Sequence, residues 1–282
     1  MKKGRFFCIV ALLAVFCMVS CEKTPDEPVD PYPIDQLTVG TEPQEAVVLI
    51  EEFTGVNCVN CPAGHRIANT LMAEHPGRVY AINIHQGPWA PRYRTEFGDS
   101  LALQAGIDGW PAATLNRKPY NGSLNVHPNS WVAFCEQLLQ GSSCANLAAR
   151  AILDTVARTI RVQVKGYYTA SAANSTNLLN VAVLEDSIIG PQSGGPLYNP
   201  EQITPDSSYI HTHMLRHLVT GQWGDEVSAT TAGSTFEREY TWTVPAQISY
   251  FDATMRHFNI LVFLAEGHKD IITCTKAELI FL

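Results

Sequence analysis

The strongest apolar pattern in the chain begins at residue 47. Val47-Val48-Leu49-Ile50 is a continuous apolar run, the mark of a strand buried on both faces, and it continues through Glu51-Glu52-Phe53-Thr54-Gly55 into Val56-Asn57-Cys58-Val59-Asn60-Cys61-Pro62. Beyond it Ile67, Leu71 and Met72, interleaved with Ala63, Ala68 and Ala73, recur at helical spacing and stop near His75-Pro76-Gly77. Proline is tolerated where a helix does not use its N–H, so Pro62 fits a helix that begins around Cys58 or Val59. Residues 79–84 predict a second strand and residues 112–118 a third, followed by an Asn121-Gly122 hairpin turn. Trp131, Phe134, Cys135, Leu138 and Leu139 form an apolar stripe on a helix over 130–140, closed by Gly141.

The second half changes period. Ile160, Val162 and Val164 alternate with Arg161, Gln163 and Lys165, the two-residue repeat of a half-buried strand. Further strands are expected over 178–186, 211–219, 236–244, 258–264 and 271–280, separated by turn-rich stretches such as Ser193-Gly194-Gly195-Pro196. Many strands without a helical pattern between them predict a β-sandwich. The expected fold is therefore α/β plus all-β, an α/β domain over 46–145 followed by a β-sandwich domain over 146–282.

Of the 282 residues 46% are apolar and 16% charged, which excludes a disordered, collagen-like or coiled-coil chain. The net charge of −8 argues against a nucleic-acid partner. Lys2, Lys3 and Arg5 precede a 14-residue apolar run, Phe6 to Val19, that ends in small residues and a cysteine, the form of a secretory signal. The run falls short of the roughly 20 residues a membrane-spanning helix needs. Met18-Val19-Ser20-Cys21 resembles a bacterial lipobox, so residues 1–20 read as a lipoprotein signal peptide and Cys21 as an acylated N-terminus that holds the chain on a membrane. Residues 21–45, acidic and proline-rich, read as a tether. An ordinary secreted protein cut near Ala14 is the alternative. Cleavage before Cys21 takes three cations with it and carries the net charge from −8 to −11.

Cleavage also removes Cys8 and Cys17, and with Cys21 committed to lipid, Cys58, Cys61, Cys135, Cys144 and Cys274 remain in an oxidising compartment. Their number is odd, so at least one stays unpaired. A C-x-x-C where a strand turns into a helix suits a thiol redox site, because the helix N-terminus favours thiolate over thiol. The same motif also serves as a fixed disulfide closing a tight turn. Pro62 stands where a c-type haem site has histidine, which excludes that group, and no cofactor is expected. Cys58, Cys61 and His65 supply three ligands where structural zinc takes four, so no metal is expected and His65 reads as a surface or site-rim residue. Cys135 and Cys144 could form a disulfide or stay as two small buried side chains, and Cys274 is left as a buried free thiol in a strand. His211, His213 and His217 would share one strand face, a hint of metal that strand parity explains as well.

Residues 46–141 resemble a thioredoxin-type domain. Glu52 stands six residues before Cys58, where thioredoxin has its buried acid, and Gly106-Ile107-Asp108-Gly109-Trp110-Pro111 resembles the thioredoxin loop that carries the cis-proline. Asn57 and Val59-Asn60 depart from the thioredoxin tryptophan and Gly-Pro, which leaves the redox potential open. The resemblance implies thiol–disulfide exchange with thiols or disulfides of envelope proteins: Cys58 attacks, Cys61 resolves, Glu52 relays the proton and Pro111 positions the partner backbone. Trp110, and Trp89 in the loop over 85–94, would form the substrate-docking surface. The whole chain resembles the Omp28-related outer membrane lipoproteins of Bacteroidetes, through its lipobox, tether, Glu52 to Pro62 and His211 to Asp225. That resemblance implies a lipid-anchored protein of the cell envelope, at the outer membrane. The competing function is a surface binding or adhesion lipoprotein whose thioredoxin-like part is an inert scaffold.

Overall fold

The computed structural model describes residues 30–282; the expected signal peptide over 1–20, Cys21 and the tether as far as residue 29 lie outside the described residues. The first elements are β1 (Val48–Thr54), α1 (Cys61–Glu74), β2 (Val79–His85), α2 (Gly98–Ala105), β3 (Ala112–Leu115) and α3 (Trp131–Leu139). β1 lies between a parallel β2 and an antiparallel β3. All of β1 is buried, as its apolar run foretells, because both faces are covered. Val48 and Ile50 meet Leu71 of α1 and Trp131 and Phe134 of α3. Leu49 and Phe53 point the other way, toward Leu101 and Ala105 of α2.

Helix α1 begins at Cys61, later than the expected Cys58 or Val59. The preceding residues form a separate turn, in which the Cys58 N–H donates to the Gly55 carbonyl at 3.0 Å, and Pro62 sits in the first helical turn. Helix α2 escaped prediction although its C-cap is visible. Gly106 there adopts φ 65°, the left-handed conformation that glycine tolerates best.

The chain continues with β4 (Ala145–Asp154), β5 (Thr159–Tyr168), β6 (Asn177–Glu185), β7 (Ile188–Gly190), a short α4 (Gly195–Tyr198), β8 (Tyr209–His211), β9 (Met214–Leu218), β10 (Asp225–Val227) and β11 (Thr235–Thr243). It ends with β12 (Gln247–Ile248), β13 (Phe251–Asp252), β14 (Phe258–Glu266), β15 (Lys269–Lys276) and β16 (Glu278–Phe281). The expected strand over 211–219 is broken at His213, which takes φ 53° and donates its N–H to Asp186 at 2.6 Å. The strand over 271–280 is likewise two, since β15 pairs with β14 and β16 leaves to run parallel with β4.

Two sheets dominate. One runs β15-β14-β6-β9-β2-β1-β3, with β10 also alongside β6, and the other runs β11-β5-β4-β16. The smaller sheet packs Ala151, Leu153, Ile160, Val162 and Val164 on Val181, Val183, Ile260 and Val262 of the larger, which is a sandwich of two β layers. The larger sheet, however, belongs to both halves of the chain. β9 lies beside β2, with Met214 opposite Asn83, and one apolar cluster joins Phe53 and Ile84 to Leu184, Leu215 and Phe263. The boundary expected at 145/146 therefore does not divide the packing: residues 34–282 form one compact unit. An uncovered β2 edge would leave its polar backbone open to other strands, and the second half supplies the cover. The tether is also shorter than expected. Asn146 Nδ2 donates to the Gly40 and Glu42 carbonyls, each at 2.7 Å, which ties that stretch to β4.

Candidate functional site: a disulfide beside a buried acid

Cys58 and Cys61 are joined by a disulfide between the turn after β1 and the start of α1, with Cα atoms 5.4 Å apart. Cys58 is 8% exposed and Cys61 0%, so of the two residues only Cys58 meets solvent. Distant segments grip the turn. Asn57 N–H donates to the Trp89 carbonyl at 2.9 Å and Ser193 N–H to the Val56 carbonyl at 2.8 Å. Gln192 Nε2 donates to the carbonyls of Gly55 and Cys58 at 3.2 and 3.0 Å. At Gly194, which has φ 74°, any Cβ would collide with the Val59 carbonyl oxygen. The sequence offers no local signal that residues 192–194 would lie against the cysteines.

The alternation of β1 sends Glu51 and Glu52 to opposite faces, both buried, and the fold treats them differently. Glu51 accepts from Arg117 Nε and Nη2 at 2.8 and 2.6 Å and from the Thr114 hydroxyl at 2.8 Å, so both its oxygens are satisfied. Glu52, 0% exposed, has no hydrogen-bond partner on either oxygen. Burial without a donor pushes its carboxyl well above the ordinary carboxylate range. Gly64 makes the room: a Cβ there would collide with Glu52 Oε1 and lie 3.0 Å from Pro111 Cβ and from Trp131 Cη2.

His65 completes the interior of the site. Its Nε2 lies 2.8 Å from Thr54 Oγ1 and 3.7 Å from Glu52 Oε1, and its Nδ1 lies 2.8 Å from the Tyr209 hydroxyl. At 3% exposure it is a core residue, not the surface or rim residue expected, because α1 turns it toward β1 and β8. Burial, helped by His211 and His213, pushes its pKa down to about 3, so the ring is neutral and its approach to Glu52 is not an ion pair.

The Trp110–Pro111 peptide is cis. Asp108, Gly109 and Trp110 form a wall shared by two clefts. One, of about 420 Å³, is lined by Cys58, Val59 and Trp89; the other, of about 560 Å³, by Ala63, Pro111, Asn125 and His127. Val59 and Trp89 are 53% and 45% exposed beside Cys58, an apolar rim on an otherwise closed disulfide. The residues singled out in the sequence, Cys58, Cys61, Glu52, Pro111, Trp110 and Trp89, thus gather around the first turn of α1. Gly64, Gln192 and Tyr209 also belong to the site and were missed.

Other expectations are corrected. The three histidines of the second half diverge: the His211 ring faces His85 at 5.3 Å, His213 lies 3.5 Å from Asp186, and His217 stacks on Trp242 at 4.4 Å. Among the described residues no group of three His, Cys, Asp or Glu side chains is set to hold a metal ion. Cys135 and Cys144 remain free thiols. The helical stripe commits Cys135 to the core beside Trp131 and Phe134, where burial pushes its thiol up to about 12, whereas Cys144 lines a separate cleft with Lys118 and Glu266. Cys274 is free and buried in β15.

Fold and site together define a sheet-rich mixed α/β protein with a β-sandwich layer and, among the described residues, one disulfide, set over a buried acid. Over residues 99–279 the chain matches the model of the family described as outer membrane protein Omp28, and it belongs to that family. Its place is the cell envelope, at the outer membrane. The match begins downstream of the two cysteines. No curated protein matches the chain. Among solved structures it is similar to HBP35 of Porphyromonas gingivalis, at 19% identity over 83% of this chain and 76% of that one, with a TM-score of 0.65, a likeness of fold. It also aligns with a structural-genomics protein from Agrobacterium tumefaciens at 14% identity, over 83% and 96% of the two chains, with a TM-score of 0.49. A domain of the outer membrane lipoprotein Omp28 from Porphyromonas gingivalis aligns at 18% identity over 49% and 90%, with a TM-score of 0.32. Among the described residues no helix is long and apolar enough to cross a membrane.

Proposed function

We propose that this chain is a lipid-anchored envelope protein that exchanges disulfides with partner proteins through Cys58 and Cys61. In this reading residues 46–145 form a thioredoxin-like unit, built on β1, α1, β2 and β3, and Cys21 carries the acyl chains. The observation that carries the proposal is the contrast between the two adjacent glutamates: Glu51 is given an arginine, and Glu52, under the first turn of the cysteine-bearing helix, is given nothing. A disulfide that only closes a turn has no use for such an acid, whereas an unpaired buried carboxyl is expensive and typical of groups that move protons.

The step balances as follows. A partner thiolate attacks Cys58 Sγ, the Cys58–Cys61 bond breaks, and Cys61 Sγ leaves with the electron pair and takes the Glu52 proton. The partner's second thiolate then attacks its own sulfur in the mixed disulfide and releases Cys58 as thiolate. The partner dithiol has become a disulfide, Cys58 and Cys61 have gained two electrons, and water returns protons to Glu52 and Cys58. The reverse sequence oxidises Cys58 and Cys61 and reduces a partner disulfide. The partner chain would lie along Pro111, between Trp110 and Trp89.

The test is equilibration of the oxidised protein with glutathione, alongside insulin reduction. Exchange is expected, abolished in Cys58→Ser and slowed by roughly 10²-fold or more in Glu52→Gln, the usual range for loss of a general acid. The inert-scaffold reading has one observation in its favour, the grip of Gln192 and Ser193 on a disulfide that is 8% exposed at most. A bridge that resists glutathione at every practical ratio would establish it. Globomycin-sensitive processing, lost in Cys21→Ser, checks the anchor.

A further inference from the structure

We infer that His65 is a positioning residue for Glu52: residues of the second half lock its ring as the Nδ1–H tautomer, so that its Nε2, the ring atom nearer Glu52, carries no hydrogen and that carboxyl keeps its proton. The inference deepens the exchange reading above and rests on it for its functional meaning, but its structural content stands separately.

The tautomer follows from a chain of hydrogen bonds with one consistent direction. The Ile210 carbonyl can only accept, so the Gln202 atom 2.9 Å from it is the amide nitrogen. That orientation turns Gln202 Oε1 to the Tyr209 hydroxyl, 2.7 Å away. An amide oxygen can only accept, so the single Tyr209 proton is spent there. Asn199 Nδ2 donates to the same hydroxyl oxygen at 3.0 Å. Burial pushes the Tyr209 phenol up, so it keeps that proton. Toward His65, Tyr209 can therefore only accept, and the Nδ1 atom at 2.8 Å must carry the hydrogen. A neutral imidazole has one N–H, which leaves Nε2 as a lone pair. The Thr54 hydroxyl donates to it at 2.8 Å, and Glu52 Oε1 faces it at 3.7 Å.

The consequence is electrostatic. With the opposite tautomer, Nε2–H would donate to Thr54 Oγ1, but its positive end would lie 3.7 Å from Glu52 Oε1 and favour the ionised carboxylate. In this network the Nε2 lone pair is taken by Thr54 and the negative end of the ring dipole lies toward the carboxyl, so the ionised form has no donor to lean on and the proton stays until a stronger base such as the departing Cys61 thiolate takes it. Burial above all, and then His211 at the end of β8 and His213 in the link to β9, keep the ring neutral; His65 in turn disfavours a charge on His85 at the end of β2. Neither β3 nor α4, which packs on α1, carries an acidic or basic side chain.

The experiment uses the mature full-length chain labelled with ¹⁵N and ¹³C, in its oxidised form near neutral pH. The His65 side chain, assigned by its loss in His65→Asn, is expected to show a protonated Nδ1 and an unprotonated Nε2; the reverse overturns the inference without any variant. In Tyr209→Phe the ring loses its acceptor and should change to Nε2–H. The Glu52 carboxyl ¹³C titration, and with it the pH profile of disulfide reduction by dithiothreitol, should then move down by about one pH unit. A folded Tyr209→Phe protein with an unmoved titration and profile also overturns it. The two proposals fail separately. A disulfide inert to dithiothreitol defeats the exchange reading while the tautomer is still read by NMR, and a reactive disulfide above an Nε2–H ring defeats only the role of His65.

Discussion

Replacing Gly64 by alanine sets two effects of opposite sign against each other. Alanine is favoured over glycine inside a helix by about 1 kcal/mol, partly because it restricts the unfolded chain. Against this, the added methyl would collide with Glu52 Oε1 and press within 3.0 Å of Pro111 and Trp131. Neither side chain can yield easily: Glu52 and Trp131 are both 0% exposed, and the indole N–H of Trp131 is fixed to the Val126 carbonyl at 2.9 Å. Overfilling a packed site typically costs about 1–3 kcal/mol, and displacing a buried carboxyl puts this one at the upper end, so the net loss should be about 1–2 kcal/mol. For a unit of this size that lowers the Tm by roughly 2–8 °C. Thermal and urea unfolding followed by circular dichroism would measure it. In a Glu52→Ala background the severest of the three contacts is gone while those to Pro111 and Trp131 remain, and Gly64→Ala should cost less by about 1 kcal/mol, the coupling between the two positions. A Gly64→Ala protein more stable than wild type would refute the reasoning, since the first turn of α1 would then not rest on the Glu52 carboxyl.

Three further outcomes are expected. Arg117→Met strands Glu51 as an unpaired buried charge and should cost about 3–5 kcal/mol in urea unfolding, much of it recovered in a double variant with Glu51→Gln; equal losses in both would show that the ion pair is not what matters. His65 and His211 have folded-state pKa values lowered from 6.5 to about 3 and about 4, so the unfolded chain binds more protons between those limits. Their stabilisation is complete above 6.5 and is lost as the pH falls toward 4 and 3, so the urea midpoint should drop over that window and drop less in His211→Phe. Glu52 acts in the opposite sense, its contribution fading as the pH rises above 4.5 toward its raised folded value. Maleimide labelling of the native protein, mapped by mass spectrometry, should mark Cys144 well before Cys135 and Cys274, because of these three only Cys144 is partly exposed; early labelling of Cys135 would contradict its place on the buried face of α3.

Much of the site is local in sequence, and for that reason it was legible. The apolar run through Ile50, the C-x-x-C, the helical stripe from Ile67 to Met72 and the Trp110-Pro111 pair each carry their own short-range signal, and the structure places them at one spot. Glu52 could be singled out only through the resemblance to thioredoxin, whose buried acid stands at the same distance before the first cysteine. The different treatment of Glu51 and Glu52 could not, because it depends on Arg117, which reaches Glu51 from beyond β3. His65 was misplaced for the same reason: its partners are Thr54 and Tyr209, and nothing near residue 65 announces a tyrosine 144 positions away. The choice between a Cys135–Cys144 bridge and two free thiols stayed open in the sequence, because closeness along the chain says little about where a helix points a sulfur; the structure leaves both free.

The sequence by itself determined the local elements, because helix and strand periodicities, cap glycines and the residues of the cysteine turn act over a few positions. It also determined which side chains are available for thiol chemistry. Only the tertiary structure decided that the two halves share one sheet, that the segment around Gln192 grips the cysteine turn, and that Tyr209 governs the ring beside Glu52. Those outcomes depend on burial and on the pairing of polar groups across long stretches of chain, where a hydrogen bond or an unpaired carboxyl gets its energy from what surrounds it in space.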